Sequence, residues 1–200
     1  MWFVIFQPRG LFDGIRVEHR ASRQLLPVNL VLAGVAFGGA WATVLLGPLM
    51  SAKSDRGATD LWLTYFLSLA YFGMVSSFSL VFATWIEWLG IRFFGARRGW
   101  RVTQGVATGV CAHASFGWIL GGVLAWVAAA AGLVNLVVMG RGAPFTFNEL
   151  SRVFAVSLVG AGVGLLAFEV LVYVGVRRCR FANGSEELDG GANEPGAPIE

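Results

Sequence analysis

The chain has 200 residues, of which 56% are hydrophobic and 14% charged, with a formal net charge of +3. Soluble domains sit near a quarter charged, so this composition and a mean hydropathy of +0.66 exclude an ordinary water-soluble domain. No Asp, Glu, Lys or Arg occurs between Arg23 and Lys53, between Asp60 and Glu87, or between Arg101 and Arg141. Each gap exceeds the ~20 apolar residues that cross a ~30 Å hydrocarbon core. The expectation is an all-α, polytopic transmembrane bundle.

Residues 1–26 read as a basic, mildly amphipathic juxtamembrane segment. Leu11, Phe12 and Ile15 share a helical face, and Arg9, Arg16, Arg20 and Arg23 supply charge, a pattern that suits an anionic surface. The opening "MWFVIF" has no basic n-region or small-residue cleavage site, so it reads as an interfacial foot rather than a secretory signal. A first span is expected at about 28–50. A second, at about 61–88, carries Trp62 and Tyr65 at one end and Trp85 and Trp88 at the other, an aromatic belt at both interfaces.

The connector "IRFFGARRGWRVTQ" places Arg92, Arg97, Arg98 and Arg101 between apolar runs. Lys and Arg near span ends favour the cytoplasmic side. Two spans separate this cluster from the N-terminal arginines, so both groups, and the N-terminus with them, are expected in the cytoplasm. The loop also suits anionic lipid headgroups. It is too short for a nucleic-acid site, and its aromatics Phe93, Phe94 and Trp100 suit the interface.

From Val102 to Gly140 the pattern is ambiguous. One straight helix over it is roughly 55 Å long at 1.5 Å per residue. Its tilt would be about 57°, against an observed range of roughly 0–40°. Two short spans broken at Gly121-Gly122, at about 103–120 and 123–139, fit better and make five spans in all. The first of these is diluted by Thr103, Gln104, Thr108, His113 and Ser115; as an interfacial or re-entrant piece it leaves four. The last span, about 153–176, is preceded by "PFTFNEL", where Thr146 and Glu149 form a capping box and Phe145 and Leu150 a hydrophobic staple. Residues 179–200 are acidic and rich in Gly and Pro, as expected of a disordered tail.

Few groups promise chemistry. His113 within a span is a functional candidate by default, and a neutral imidazole bonded to a neighbouring helix is the plainer reading. Ser115 lies two residues on, about 200° around a regular helix, so the two form no nucleophile–base pair. Glu169 is a second intramembrane ionisable group, with Tyr173 one turn on and a His113–Glu169 contact across helices as alternative partners. Glu87, between Trp85 and Trp88, reads as an interface residue able to pair with Arg92. Cys111 and Cys179 offer neither a disulfide framework nor metal spacing, although Cys179 beside three arginines also suits acylation. No catalytic residue, metal ligand or cofactor is expected. Glycines four apart, Gly34 with Gly38, Gly105 with Gly109, Gly117 with Gly121 and Gly160 with Gly164, suit close helix packing, within the monomer or in self-association.

Two stretches carry a family resemblance. "FQPRGLFDGI" resembles the entry segment of bacterial members of the Yip family of membrane proteins, and "WIEWLGIRFFGARRGWRVTQGV" resembles that family's loop into its third span. Gly95-Ala96 stands where the family has paired glycines, and "VCAHASFG" replaces its third-span pattern. The resemblance implies five spans, a cytoplasmic N-terminus, no enzymatic activity, and membrane-protein or lipid partners. A small transporter or channel using His113 and Glu169, and an accessory subunit of a larger membrane complex, are the alternative expectations.

Overall fold

A computed structural model describes residues 19–51, 58–98, 102–139 and 146–179. These residues are helical nearly throughout, with no strand among them. In chain order the helices are α1 (His19–Ser51), α2 (Ala58–Arg97), α3 (Gln104–Ala114), α4 (Phe116–Met139) and α5 (Phe147–Cys179). Four helical stretches are long and apolar enough to cross a membrane: Gln24–Leu46, Asp60–Arg97, Gln104–Val138 and Phe147–Cys179. The expected interfacial segment before His19, Arg101, the staple residue Phe145 and the acidic tail beyond Cys179 lie outside the described residues.

Several boundaries differ from expectation. α1 begins ahead of the expected first span and runs through Pro27. Proline within a membrane helix is tolerated where neighbouring helices and polar side chains compensate for the lost backbone bond. α2 continues through most of the arginine connector to Arg97, and α5 through Arg177 and Arg178 to Cys179. At about 1.5 Å per residue, the 40 residues of α2 make a helix of roughly 60 Å. Both helices therefore extend well past a ~30 Å hydrocarbon core.

That length bears on the expected fifth span. A break at Gly121-Gly122 is needed only if everything from Val102 to Gly140 fits within the hydrocarbon. The structure instead runs α4 unbroken through Gly121 and Gly122 and interrupts the helix at Ser115 alone. Together α3 and α4 make one apolar stretch interrupted at Ser115, and α3, at 11 residues, is about 16 Å long and too short to cross by itself.

Side-chain pairings fix the helix directions. Gly34 lies against Ser77 and Gly38 against Gly73, so α1 and α2 are antiparallel. Gly39 meets Trp126, Gly122 meets Ala33 and Ala36, and Asn29 reaches Ser115, so α1 and α4 run parallel. Gly117 lies against Phe168, Gly121 against Gly164, and Gly132 against Val153, so α4 and α5 are antiparallel. The chain thus goes up, down, up and down. The start of α1, the end of α2, the start of α3 and the end of α5 share one end of the bundle.

The glycine pairs Gly34/Gly38, Gly117/Gly121 and Gly160/Gly164 sit at these crossings, as their spacing predicts. An added Cβ on Gly121 meets the Cα of Gly164 at 2.5 Å, and one on Gly160 meets the backbone nitrogen of Ala125 at 2.6 Å. Such approaches maximise van der Waals contact between helices, the main adhesive where lipid removes the hydrophobic drive for association. The larger core lies at the shared end. It includes Leu30, Ile91, Val106, Val110, Trp118, Phe168 and Cys179, with Trp118 stacked on Phe168 at 4.8 Å. The outer faces are apolar and bare, those of α2 above all, where Trp62, Phe66, Tyr71, Phe78 and Phe82 are more than half exposed.

Candidate functional site

Local sequence sets the entries of α3 and α5. Thr103 caps α3, its hydroxyl accepting from the amide of Val106 at 3.4 Å. The expected capping box opens α5: the Thr146 amide donates to Glu149 Oε2 at 2.8 Å, and the Glu149 amide to Thr146 Oγ1 at 3.4 Å. Both satisfy amides that the first helical turn leaves without partners.

A cleft of about 600 Å³ opens between the C-terminal ends of α2 and α5. Its α2 wall is Glu87, Gly90, Ile91, Phe94 and Gly95, with Arg98 following at the turn. Its α5 wall is Glu169, Val172, Tyr173, Val176 and Arg177. Positions 87, 91, 94 and 98 recur at the spacing of one helix face, as do 169, 173, 176 and 177. Two apolar stripes, each with a carboxylate at its inner end and a guanidinium at its outer end, therefore face one another.

The charges are graded along the cleft. Glu87 is half-buried and Glu169 is exposed on the cleft side of α5, and the two carboxylates line the cleft from opposite walls. Arg98 and Arg177 are exposed towards the bundle end. Arg177 turns back along its helix, its Nη1 donating to the Tyr173 hydroxyl at 3.5 Å. Tyr173 thus serves Arg177, where Glu169 was the expected partner.

Arg92 and Arg97 of the connector are engaged with aromatic rings. Arg92 lies over the Trp88 ring at 5.2 Å, not against Glu87, and Arg97 over the Phe93 ring at 4.5 Å. Cation–π contacts of this kind hold a guanidinium beside an interfacial aromatic. Of the expected lipid-contacting arginines among the described residues, Arg98 alone lines the cleft, and it is joined there by Arg177, which was not among them.

His113 does not line the cleft. It is half-buried on α3, with Nδ1 2.8 Å from the Gly109 carbonyl, and the expected pairing of His113 with Glu169 around one site is not what the cleft presents. Cys111 and Cys179 are buried thiols, and burial of Cys179 at 2% exposure leaves no opening for acylation. Among the described residues no three His, Cys, Asp or Glu side chains gather as metal ligands.

A second polar feature was also missed. Asn29, 3% exposed, donates from Nδ2 to Ser115 Oγ at 3.0 Å and to the Ala112 carbonyl at 3.2 Å. Ser115 Oγ donates to the same carbonyl at 2.6 Å. The signal was present, since Asn29 stands in a charge-free apolar run where a buried amide needs an interhelical partner. This network staples α1 to the α3–α4 junction and so sets the bundle end on which the cleft opens.

The arrangement has the groups of a binding site. It offers two guanidiniums for a phosphate or carboxylate, two carboxylates for a cation, and apolar walls continuous with the bare outer faces of α2 and α5. Compared with known proteins, the chain matches no family model, no curated protein and no solved structure.

Proposed function

We propose that this chain is a non-enzymatic integral membrane protein with four crossings, the start of α1 and the end of α5 both cytoplasmic, and that its cleft binds a phosphate-bearing lipid. The observation that carries this reading is the convergence of Arg98 and Arg177, from the ends of two different helices, on one apolar-walled cleft. Guanidinium recognises phosphate through paired, charge-assisted hydrogen bonds. Basic residues at the cytoplasmic surface each contribute about 1 kcal/mol to holding anionic lipid.

The alternating helix directions support four crossings. They bring Arg20 and Arg23 of α1, Arg92 and Arg97 of α2 and Arg177-Arg178 of α5 to one end of the bundle, which suits the preference of Lys and Arg for the cytoplasm. The Yip resemblance supports the same non-enzymatic role through lipid or protein partners, and its five spans are one more than this topology needs.

The test is lipid retention by the purified full chain, followed by native mass spectrometry after exchange into phosphatidylglycerol. Arg98→Gln with Arg177→Gln should lower retention severalfold while Arg92→Gln with Arg97→Gln, whose guanidiniums lie on aromatic rings, should lower it much less. Equal loss in both pairs would reduce the cleft to a general surface charge effect and overturn the reading.

A further inference from the structure

The cleft carries both signs of charge, and on the lipid-binding reading above this narrows which lipid it takes. A phosphate at Arg98 and Arg177 would add negative charge to a cleft that also holds two carboxylates, Glu87 and Glu169. An ionised carboxylate within a span is costly unless something neutralises it. A ligand that ends in a cation a few ångströms from its phosphate answers both sets of groups.

The spacing suits such a ligand. Arg177 is two turns beyond Glu169 on α5, but its Nη1 reaches back to the Tyr173 hydroxyl at 3.5 Å. The guanidinium thus turns towards the Glu169 end of the cleft on the same face of α5, the order of groups that a phosphate joined to an amine through two carbons would meet. Glu87 faces the same space from α2. A primary ammonium has three donors for two carboxylates, whereas a quaternary one has none and prefers an aromatic cage, which the cleft's Phe94 and Tyr173 do not complete. The remaining walls, Ile91, Val172 and Val176, are apolar, and suit the glycerol and upper acyl carbons of a lipid better than a soluble metabolite.

We infer that the cleft binds the headgroup of an aminophospholipid, with its phosphate at Arg98 and Arg177 and its primary ammonium at Glu87 and Glu169. Selectivity for the amine then belongs to the two glutamates, and affinity for any phospholipid to the two arginines.

The experiment exchanges the full chain in detergent against equimolar phosphatidylethanolamine, phosphatidylglycerol and phosphatidylcholine, and counts retained lipids by native mass spectrometry. Wild type should retain phosphatidylethanolamine severalfold over the other two. Glu87→Gln with Glu169→Gln should bring phosphatidylethanolamine down to the level of phosphatidylglycerol, without loss of the latter. The exposed single variant Glu169→Gln should move in the same direction and guards against misfolding of the pair. Preference of wild type for phosphatidylglycerol, equal retention of phosphatidylcholine, or unchanged selectivity in the Gln variants would overturn the inference and leave the arginine reading standing. Retention of none of the three would sink that reading as well. Retention of free O-phosphorylethanolamine in place of lipid would overturn the assignment to a lipid.

Discussion

Asn29 on α1 donates to Ser115 Oγ at 3.0 Å, across the bundle and at the residue that separates α3 from α4. The Ala112 carbonyl, just before that junction, takes both Asn29 Nδ2 and Ser115 Oγ. A serine hydroxyl bonded back to its own helix bends that helix, and a neighbouring amide secures the bent form. Interhelical hydrogen bonds in membranes average ~0.6 kcal/mol and reach ~1.7. Asn29→Leu should therefore cost about 0.6–1.7 kcal/mol of stability in mild detergent, and Ser115→Ala a comparable amount. The double variant should cost less than the sum, because both singles break one network. Additive losses in thermal or SDS-induced unfolding would show that the two residues act separately.

The glycine crossings make a contrast within one helix pair. A methyl on Gly121 meets the Cα of Gly164 at 2.5 Å, backbone that no rotamer change can move, whereas a methyl on Gly162 has nothing within 4 Å. Gly121→Ala should destabilise the chain by about 1–3 kcal/mol, the range for overpacking. Gly162→Ala should be neutral or slightly stabilising, through its better helix propensity. Unfolding in detergent measures both, and equal stability of the two variants would mean that α4 and α5 do not cross where described.

What the sequence made legible follows from which forces act locally. Charge-free gaps revealed the apolar helices because lipid thickness sets a minimum length, and glycines four apart marked crossings because that spacing repeats on one face. Gly73 escaped notice since its partner in the pattern is Ser77, a small residue but not a glycine. The break was expected at Gly121-Gly122, where low helix propensity is greatest, but those glycines serve close packing and tertiary contact outweighs propensity. The cleft was hidden for a different reason. Glu87 and Glu169 lie in different helices, and five crossings would invert α5 and send Glu169 to the opposite end of the bundle. Only the number and direction of the crossings bring the two carboxylates together.

The direction of α5 is accordingly the most informative single measurement. Four crossings put the arginine connector and the segment after Cys179 on one side, with the connectors near Lys53 and Arg141 on the other. Single cysteines introduced at Ser54, Gly99, Gly142 and Gly184, in a chain with Cys111→Ala and Cys179→Ala, should divide accordingly when labelled in intact cells by a maleimide that does not cross membranes. Positions 54 and 142 should react, while 99 and 184 should react only after permeabilisation. Reaction at 184 in intact cells would place the end of α5 outside, separate Arg177 from Arg98, and dissolve the cleft on which the lipid proposals rest. Protection of all four would instead mean that the apolar helices do not traverse the bilayer in alternating directions, although their pairings across Gly34, Gly73, Gly121 and Gly164 are antiparallel.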